Sequence, residues 1–200
     1  MEEAQNSPVP YHNLSISGIA DVWTTALTEE EREIITLNYQ PLGFSSGSAA
    51  RKAINSGDPS LIATVATHLK KDHIRDVGYK LLAIAARYAS DTTELASLHF
   101  YLQAHAQFFY RWREIDGFAL NSAVAAMRQQ IALADHMEEH FRQMDGGDLI
   151  VGQYGYRQLC IIEERRGNYE LAIALCERAK AQGWNEDWSK RIARLHRNLA

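Results

Sequence analysis

The stretch from Tyr154 to Trp184, YGYRQLCIIEERRGNYELAIALCERAKAQGW, constrains the chain more than any other. Tyr156, Leu159 and Cys160 share one helical face, and Ala172, Cys176 and Ala179 recur at steps of four and three, which is one helical stripe. Between them stands Arg166-Gly167-Asn168-Tyr169, a tight turn. Small residues on the facing sides let two helix backbones come close. A helix pair of this kind cannot bury its apolar face alone, so the stretch predicts further helix pairs stacked against it.

Read in order, the chain offers them. Residues 1–17 contain Pro8 and Pro10 with no sustained periodicity and read as a flexible arm. Ile19, Val22, Trp23 and Leu27 mark a first short helix. Thr28-Glu29-Glu30-Glu31 is a capping box for a second, which buries Ile34, Ile35 and Leu37 and ends near Pro41. A helical piece spans about 49–54, and Asp58-Pro59 opens the next helix with a cap residue and a proline at the first position. A hairpin of helices follows at about 59–70 and 73–89. Ala66 and Gly78 there are separated as Cys160 and Ala172 are. Asp91-Thr92-Thr93-Glu94 reads as the cap of an aromatic helix over about 94–113, and a partner at about 118–133 carries Ala123, Met127 and Gln130 at the packing spacing. Residues 135–144 extend this helix pair, Asp145 to Asp148 is a loop, and Asp187 caps a last helix with Trp188, Ile192, Leu195 and Leu199 on one stripe.

The spacing of the 154–184 pair is that of a tetratricopeptide repeat, whose period is about 34 residues. The turn Tyr39 to Gly43, the His99-Phe100 opening of the aromatic helix and the hairpin from Gly167 to Ala179 resemble bacterial tetratricopeptide-repeat-like proteins of unassigned function. The resemblance covers about 28–198. The expected fold is therefore all-α: a tetratricopeptide-like α-α superhelix over 18–200, right-handed by that resemblance. It has about three degenerate hairpins (about 59–90, 94–133 and 152–182), N-terminal helices and a capping helix at about 187–199. Its expected function is a non-enzymatic protein- or peptide-binding module.

Composition narrows the alternatives. A formal net charge of -4 argues against bulk attraction to nucleic acid or an anionic membrane. No apolar run approaches the roughly 20 residues that span a bilayer, and MEEAQNSPVP lacks a basic start and an apolar signal core, so a cytoplasmic location without a membrane partner is expected. The basic residues gather late (Arg157, Arg165, Arg166, Arg178, Lys180) and the acids early (Glu2, Glu3, Glu29 to Glu33), a polarity suited to pairing between the two ends or to an acidic partner. Cys160 and Cys176 fall on faces expected to pack together. They read as buried reduced thiols, with a disulfide open to them if their Cα atoms come within about 6 Å.

No G-x-S-x-G elbow, phosphate loop or dinucleotide fingerprint occurs. His136-Met137-Glu138-Glu139-His140 is a literal H-x-x-E-H, the pattern of inverted zinc peptidases, with Glu163, Glu164 and Glu170 as candidate third ligands. The plainer reading is an exposed polar helix end, and no metal or other cofactor is expected. A small zinc-dependent hydrolase using this stretch stands as the alternative, beside a structural homodimer formed through the aromatic face. His68, His73, His99 and His105 show no ligand spacing.

In tetratricopeptide arrays the first helix of each pair lines a concave side. Carried over by helical offset, the groove residues are Ala63, Thr67 and Lys70 from the first hairpin, Phe100, Gln103, Gln107, Tyr110 and Arg111 from the second, and Tyr154, Arg157, Ile161 and Glu164 from the third. Aromatics supply apolar area at low entropy cost, amides bond peptide backbone and arginines pair with carboxylates. Phe100 and Tyr154 suit a core position equally well. Val9, Pro10, Tyr11 and Leu14 of the arm make a plausible internal occupant.

Overall fold

Local capping chemistry decides where the helices begin. In the computed structural model, which describes residues 21–41, 47–144 and 152–199, these residues form helices α1 (Val22–Thr25), α2 (Glu29–Asn38), α3 (Gly47–Asn55), α4 (Pro59–Thr67), α5 (Arg75–Asp91), α6 (Leu95–Arg111), α7 (Ala119–Ala132), α8 (Ala134–Met144), α9 (Tyr154–Arg165), α10 (Tyr169–Ala181) and α11 (Trp188–Leu199). The described residues contain no strand, so the chain is all-α there. The capping box before α2 is complete: Glu31 N–H donates to Thr28 Oγ1 at 3.2 Å and Thr28 N–H to Glu31 Oε2 at 2.7 Å. Asp58 accepts from Ser60 N–H with Pro59 at the first helical position of α4, and Asp187 accepts from Lys190 N–H in α11. The start of α6 differs from expectation. Glu94 makes no side-chain cap bond, Asp91 is the last residue of α5, and Thr92 Oγ1 accepts from Glu94 N–H instead. The arm at 1–17, Ile19, Leu42, Gly43 and the loop at 145–148 lie outside the described residues. No described helix is long and apolar enough to cross a membrane.

The chain groups into two compact units, residues 1–90 and 91–200, where the sequence pattern suggests one repeat domain over 18–200. In the first unit α3 runs beside α1, α2 and α4. Ile35, Ile54, Ile62, Leu69 and Leu81 are fully buried. Asn55 ties the unit's start together: its amide donates to Asp21 at 2.7 Å while its oxygen accepts from Trp23 N–H. Lys80 on α5 reaches Glu31 on α2 at 2.7 Å. Helices α4 and α5 lack the close backbone pairing of α9 and α10. Their connection carries a 3-10 turn, Asp72–Ile74, where α9 and α10 are joined by Arg166 to Asn168 alone.

In the second unit α6 pairs with α7, α7 with α9, α9 with α10, and α10 with α11, while α8 lies beside α6 and α7. The packing marks of α7, α9 and α10 are in the core; on α11 Trp188 and Leu195 are buried, Ile192 is half-buried and Leu199 is exposed. Ala123, Met127, Gln130, Tyr156, Cys160, Ala172, Cys176 and Ala179 are fully buried. The turn after α9 is clamped by Glu163, itself buried, which accepts from Arg166 at 2.8 Å and from Asn168 at 2.7 Å. Gly167 takes φ +78°, the left-handed region that suits glycine.

The contact between α7 and α9 depends on Gly155. A methyl group there would stand 2.8 Å from the Met127 carbonyl oxygen and 3.0 Å from Gln130 Oε1. In an ordinary helix interior, Gly to Ala stabilises by about 1 kcal/mol. Gly155→Ala should do the reverse and lower the melting temperature by several degrees. Gly117→Ala, which meets nothing within 4 Å, should leave it nearly unchanged. Thermal melts of the two variants followed by circular dichroism check this.

Candidate functional site: a tyrosine and arginine surface

Helices α6 and α9 meet around one side chain of α7. The Gln130 amide nitrogen lies 3.2 Å from His99 Nε2, 3.4 Å from the His99 carbonyl oxygen and 3.4 Å from Gln103 Oε1, and its oxygen accepts the Gly155 N–H at 2.8 Å. Because Gly155 occupies the amide oxygen, the nitrogen faces the imidazole, so His99 Nε2 is the acceptor and its proton sits on Nδ1. His99 is walled by aromatic rings. It stacks on Trp184 with centroids 6.1 Å apart and meets the Phe100 and Phe141 rings edge-on. Burial drives its pKa down to about 4, so it is neutral at physiological pH. His105, stacked on Phe109 and 3.2 Å from the Tyr101 hydroxyl, is held down to about 4 for the same reason.

This joint places the C-terminal end of α6 beside α9. Tyr110 and Arg111 from α6, Arg113 just beyond it, and Arg157 from the first turn of α9 all come within electrostatic range of Tyr154. Burial, then the neighbouring Tyr110, raises the Tyr154 phenol to about 12 against the opposing pull of Arg157, Arg111 and Arg113, so it remains a neutral donor. Burial also draws the Arg111 guanidinium below its ordinary value, with Tyr154 opposing. The Arg113 guanidinium lies over the Tyr110 ring, 4.2 Å from its centroid, and Arg165 donates to the Tyr110 hydroxyl at 3.4 Å. Tyr110, Arg111, Arg113 and Tyr154 are half-buried, and Arg157 and Arg165 are exposed beside them, a surface of two phenols and several guanidiniums. Such a surface can hold a carboxylate by charge-assisted hydrogen bonds while the rings cover apolar area.

The groove residues read from sequence separate into three groups. Tyr110, Arg111, Tyr154 and Arg157 come together. Gln103 is turned toward Gln130, Gln107 is half-buried, and Phe100 is 38% exposed while it packs edge-on against Phe141. Along α9, Ile161 is half-buried and Glu164 accepts from Arg194 of α11 at 2.7 Å, so that end of the stripe is partly covered by the last helix. In the first unit Ala63 is fully buried and lines no open surface, because α4 turns that face into the core; Thr67 is half-buried and Lys70 exposed. Sequence reasoning missed Arg113 and Arg165. The first was accessible as the residue three after Tyr110. Nothing in the sequence pattern links Arg165 to Tyr110, 55 positions away.

The late basic cluster meets acids of its own region. Arg157 lies 3.8 Å from Glu186, Arg191 3.0 Å from Glu186 and Arg178 3.2 Å from Asp135. The H-x-x-E-H stretch falls on α8, where His136 and Glu139 are exposed, His140 lies edge-on to Phe141 and Glu139 accepts from Gln143. Glu163 and Glu164 are committed to the turn and to Arg194. Among the described residues no three His, Cys, Asp or Glu side chains are grouped to hold a metal ion. A shallow cavity of about 430 Å³, lined by Gly167 to Leu171 and Leu199, includes none of the groove residues. No protein-family model, curated protein or solved structure matches the chain.

Two neutral histidines, the buried His99 and the half-buried His105, make stability depend on pH. Each has a folded pKa near 4 against an unfolded value near 6.5. The unfolded chain therefore binds more protons. The contribution is fully present above about pH 6.5 and is lost as pH falls toward 4, by on the order of 3 kcal/mol for each histidine. Melting temperature should fall steadily from pH 7 to 4.5, and His105→Phe should flatten that slope, as read by thermal melts across the range.

Proposed function

We propose that this chain is a non-enzymatic, tetratricopeptide-like module of the cytoplasm that binds a protein or peptide partner through the surface where α6 ends and α9 begins. The observation that carries the reading is the convergence of Tyr110, Arg111, Arg113, Tyr154 and Arg157. Two phenols and three guanidiniums gather there, with Tyr110, Arg111, Arg113 and Tyr154 half-buried and Arg157 exposed at the rim. The same residue types are over-represented where binding energy concentrates at protein interfaces. Support for the superhelical array comes from the second unit, where α6, α7, α9, α10 and α11 pack each on the next, with α8 set beside α6 and α7, around small or closely packed residues at Ala123, Gly155, Cys160, Ala172 and Ala179.

The partner chemistry that fits is an extended or helical peptide carrying carboxylates. Glutamate or aspartate side chains, or a C-terminal carboxylate, pair with the arginines, and apolar side chains lie against the tyrosine rings. The test uses wild type and a variant with Tyr110, Arg111 and Arg157 changed to Ala, the fold of the variant verified by circular dichroism. A partner captured from source lysate by wild type should bind the variant at least tenfold more weakly in a titration of the purified pair. Equal retention by the two proteins would sink the assignment of this surface.

A further inference from the structure

The α9–α10 hairpin holds a feature that the binding surface does not use. Cys160 projects from α9 and Cys176 from α10, and their sulfurs are 3.0 Å apart, close enough for one thiol to donate to the other. Both residues are free cysteines and fully buried, and Cys160 Sγ also lies 3.5 Å from the Ala172 carbonyl oxygen. A disulfide bond is about 2.05 Å long, so about an ångström of approach separates this contact from a bond. The helices that carry the two sulfurs are already packed against each other and joined by a clamped turn, which holds the sulfurs side by side.

We propose that Cys160 and Cys176 are a peroxide-sensitive pair that closes to a reversible intrachain disulfide and staples α9 to α10. The oxidant is hydrogen peroxide, small enough to reach a buried site where a bulky disulfide reagent is excluded. One of the two sulfurs, as its thiolate, attacks one peroxide oxygen, the O–O bond breaks, and the departing hydroxide takes up the thiol's proton and leaves as water, giving a sulfenic acid. The second cysteine's sulfur then attacks that sulfur; the S–O bond breaks, the S–S bond forms and a second water leaves. Two thiols and one peroxide become one disulfide and two waters, with the sulfur pair giving up the two electrons the peroxide takes. A dithiol reductant returns both electrons and both protons.

The thiol–thiol contact is the largest influence on both groups, and after it burial, Arg191 and Glu164 act on each in the same sense, so either sulfur can meet the peroxide first and the other resolve it. The route of entry is α11, which packs on α10 and anchors itself by few buried side chains, Trp188 and Leu195. A terminal helix held by so little apolar area opens locally at low cost and exposes the hairpin beneath it.

The test treats the reduced full-length protein with hydrogen peroxide, then alkylates it under denaturing conditions and maps the peptides without reduction. The expected result is loss of the mass of two hydrogens, no alkylation at either position, a linked peptide containing Cys160 and Cys176, and full reversal by dithiothreitol. The melting temperature of the oxidised monomer should rise by about 5 °C, since the bond closes a short loop. In Cys176→Ser, peroxide should leave an oxygen adduct on Cys160. Two outcomes overturn the proposal: both thiols still alkylated at a peroxide dose that oxidises glutathione in the same tube, or a bond that links two chains instead of one. Should Cys176→Ser fail to fold, the wild-type peptide map decides alone.

Discussion

One amide holds the second unit in register. Gln130 is fully buried on α7, and its two ends bond to α6 through His99 and Gln103 and to α9 through the Gly155 N–H. Ridges of apolar side chains can slide over one another by a turn at modest cost. A buried amide with fixed donors and acceptors cannot, because a slipped register would leave polar groups unpaired away from water. The positions of Tyr110 and Arg111 relative to Tyr154 and Arg157 follow from that register. Aromatic packing around His99, from Trp184, Phe100 and Phe141, seals the joint and keeps the imidazole neutral, which preserves its acceptor nitrogen for Gln130.

The close approach of α7 and α9 and the amide bond are two parts of one device. Gly155 has no side chain, so its backbone comes near enough for its N–H to reach Gln130 Oε1 at 2.8 Å. A larger residue would occupy the space that the amide fills. Elsewhere in the unit, charge does the equivalent work at the surface. Glu186 lies beside both Arg157 and Arg191, and Asp135 beside Arg178, so several late arginines are partly neutralised within their own region. The exposed pair of Arg178 and Asp135 contributes little to stability. Glu186 ties Arg157, at the edge of the Tyr110–Tyr154 region, to Arg191 of α11.

Much of the helix pattern was legible in the sequence because it rests on local chemistry. Thr28-Glu31, Asp58-Pro59 and Asp187 cap as their residue types dictate, and the small residues of α9 and α10 face each other as their spacing requires. The start of α6 was misread because Asp91 and Thr92 are also acceptable at the end of α5, and propensity does not decide which helix claims them. Gln130 was legible by spacing as a packing position but its role was not, since a sequence shows polarity but not the three partners that satisfy it. Part of the candidate site was legible by helical offset. Ala63 was not, because an offset rule assumes a groove on the same side of every hairpin, and α4 buries that side. The approach of Cys160 to Cys176 was legible as opposition of two helical faces but not as a distance.

The clamp in the α9–α10 turn bears on the order in which the chain assembles. Glu163 reaches partners only three and five positions away, and Gly167 lets the chain reverse without steric cost. Contacts so near in sequence demand little loop-closure entropy and form among the earliest events in a folding chain. The Gln130 to His99 bond spans 31 positions and requires α6 and α7 to be in place. The clamp therefore closes at a smaller cost in chain entropy than the joint does, while the hairpin still needs its neighbours to cover its apolar face.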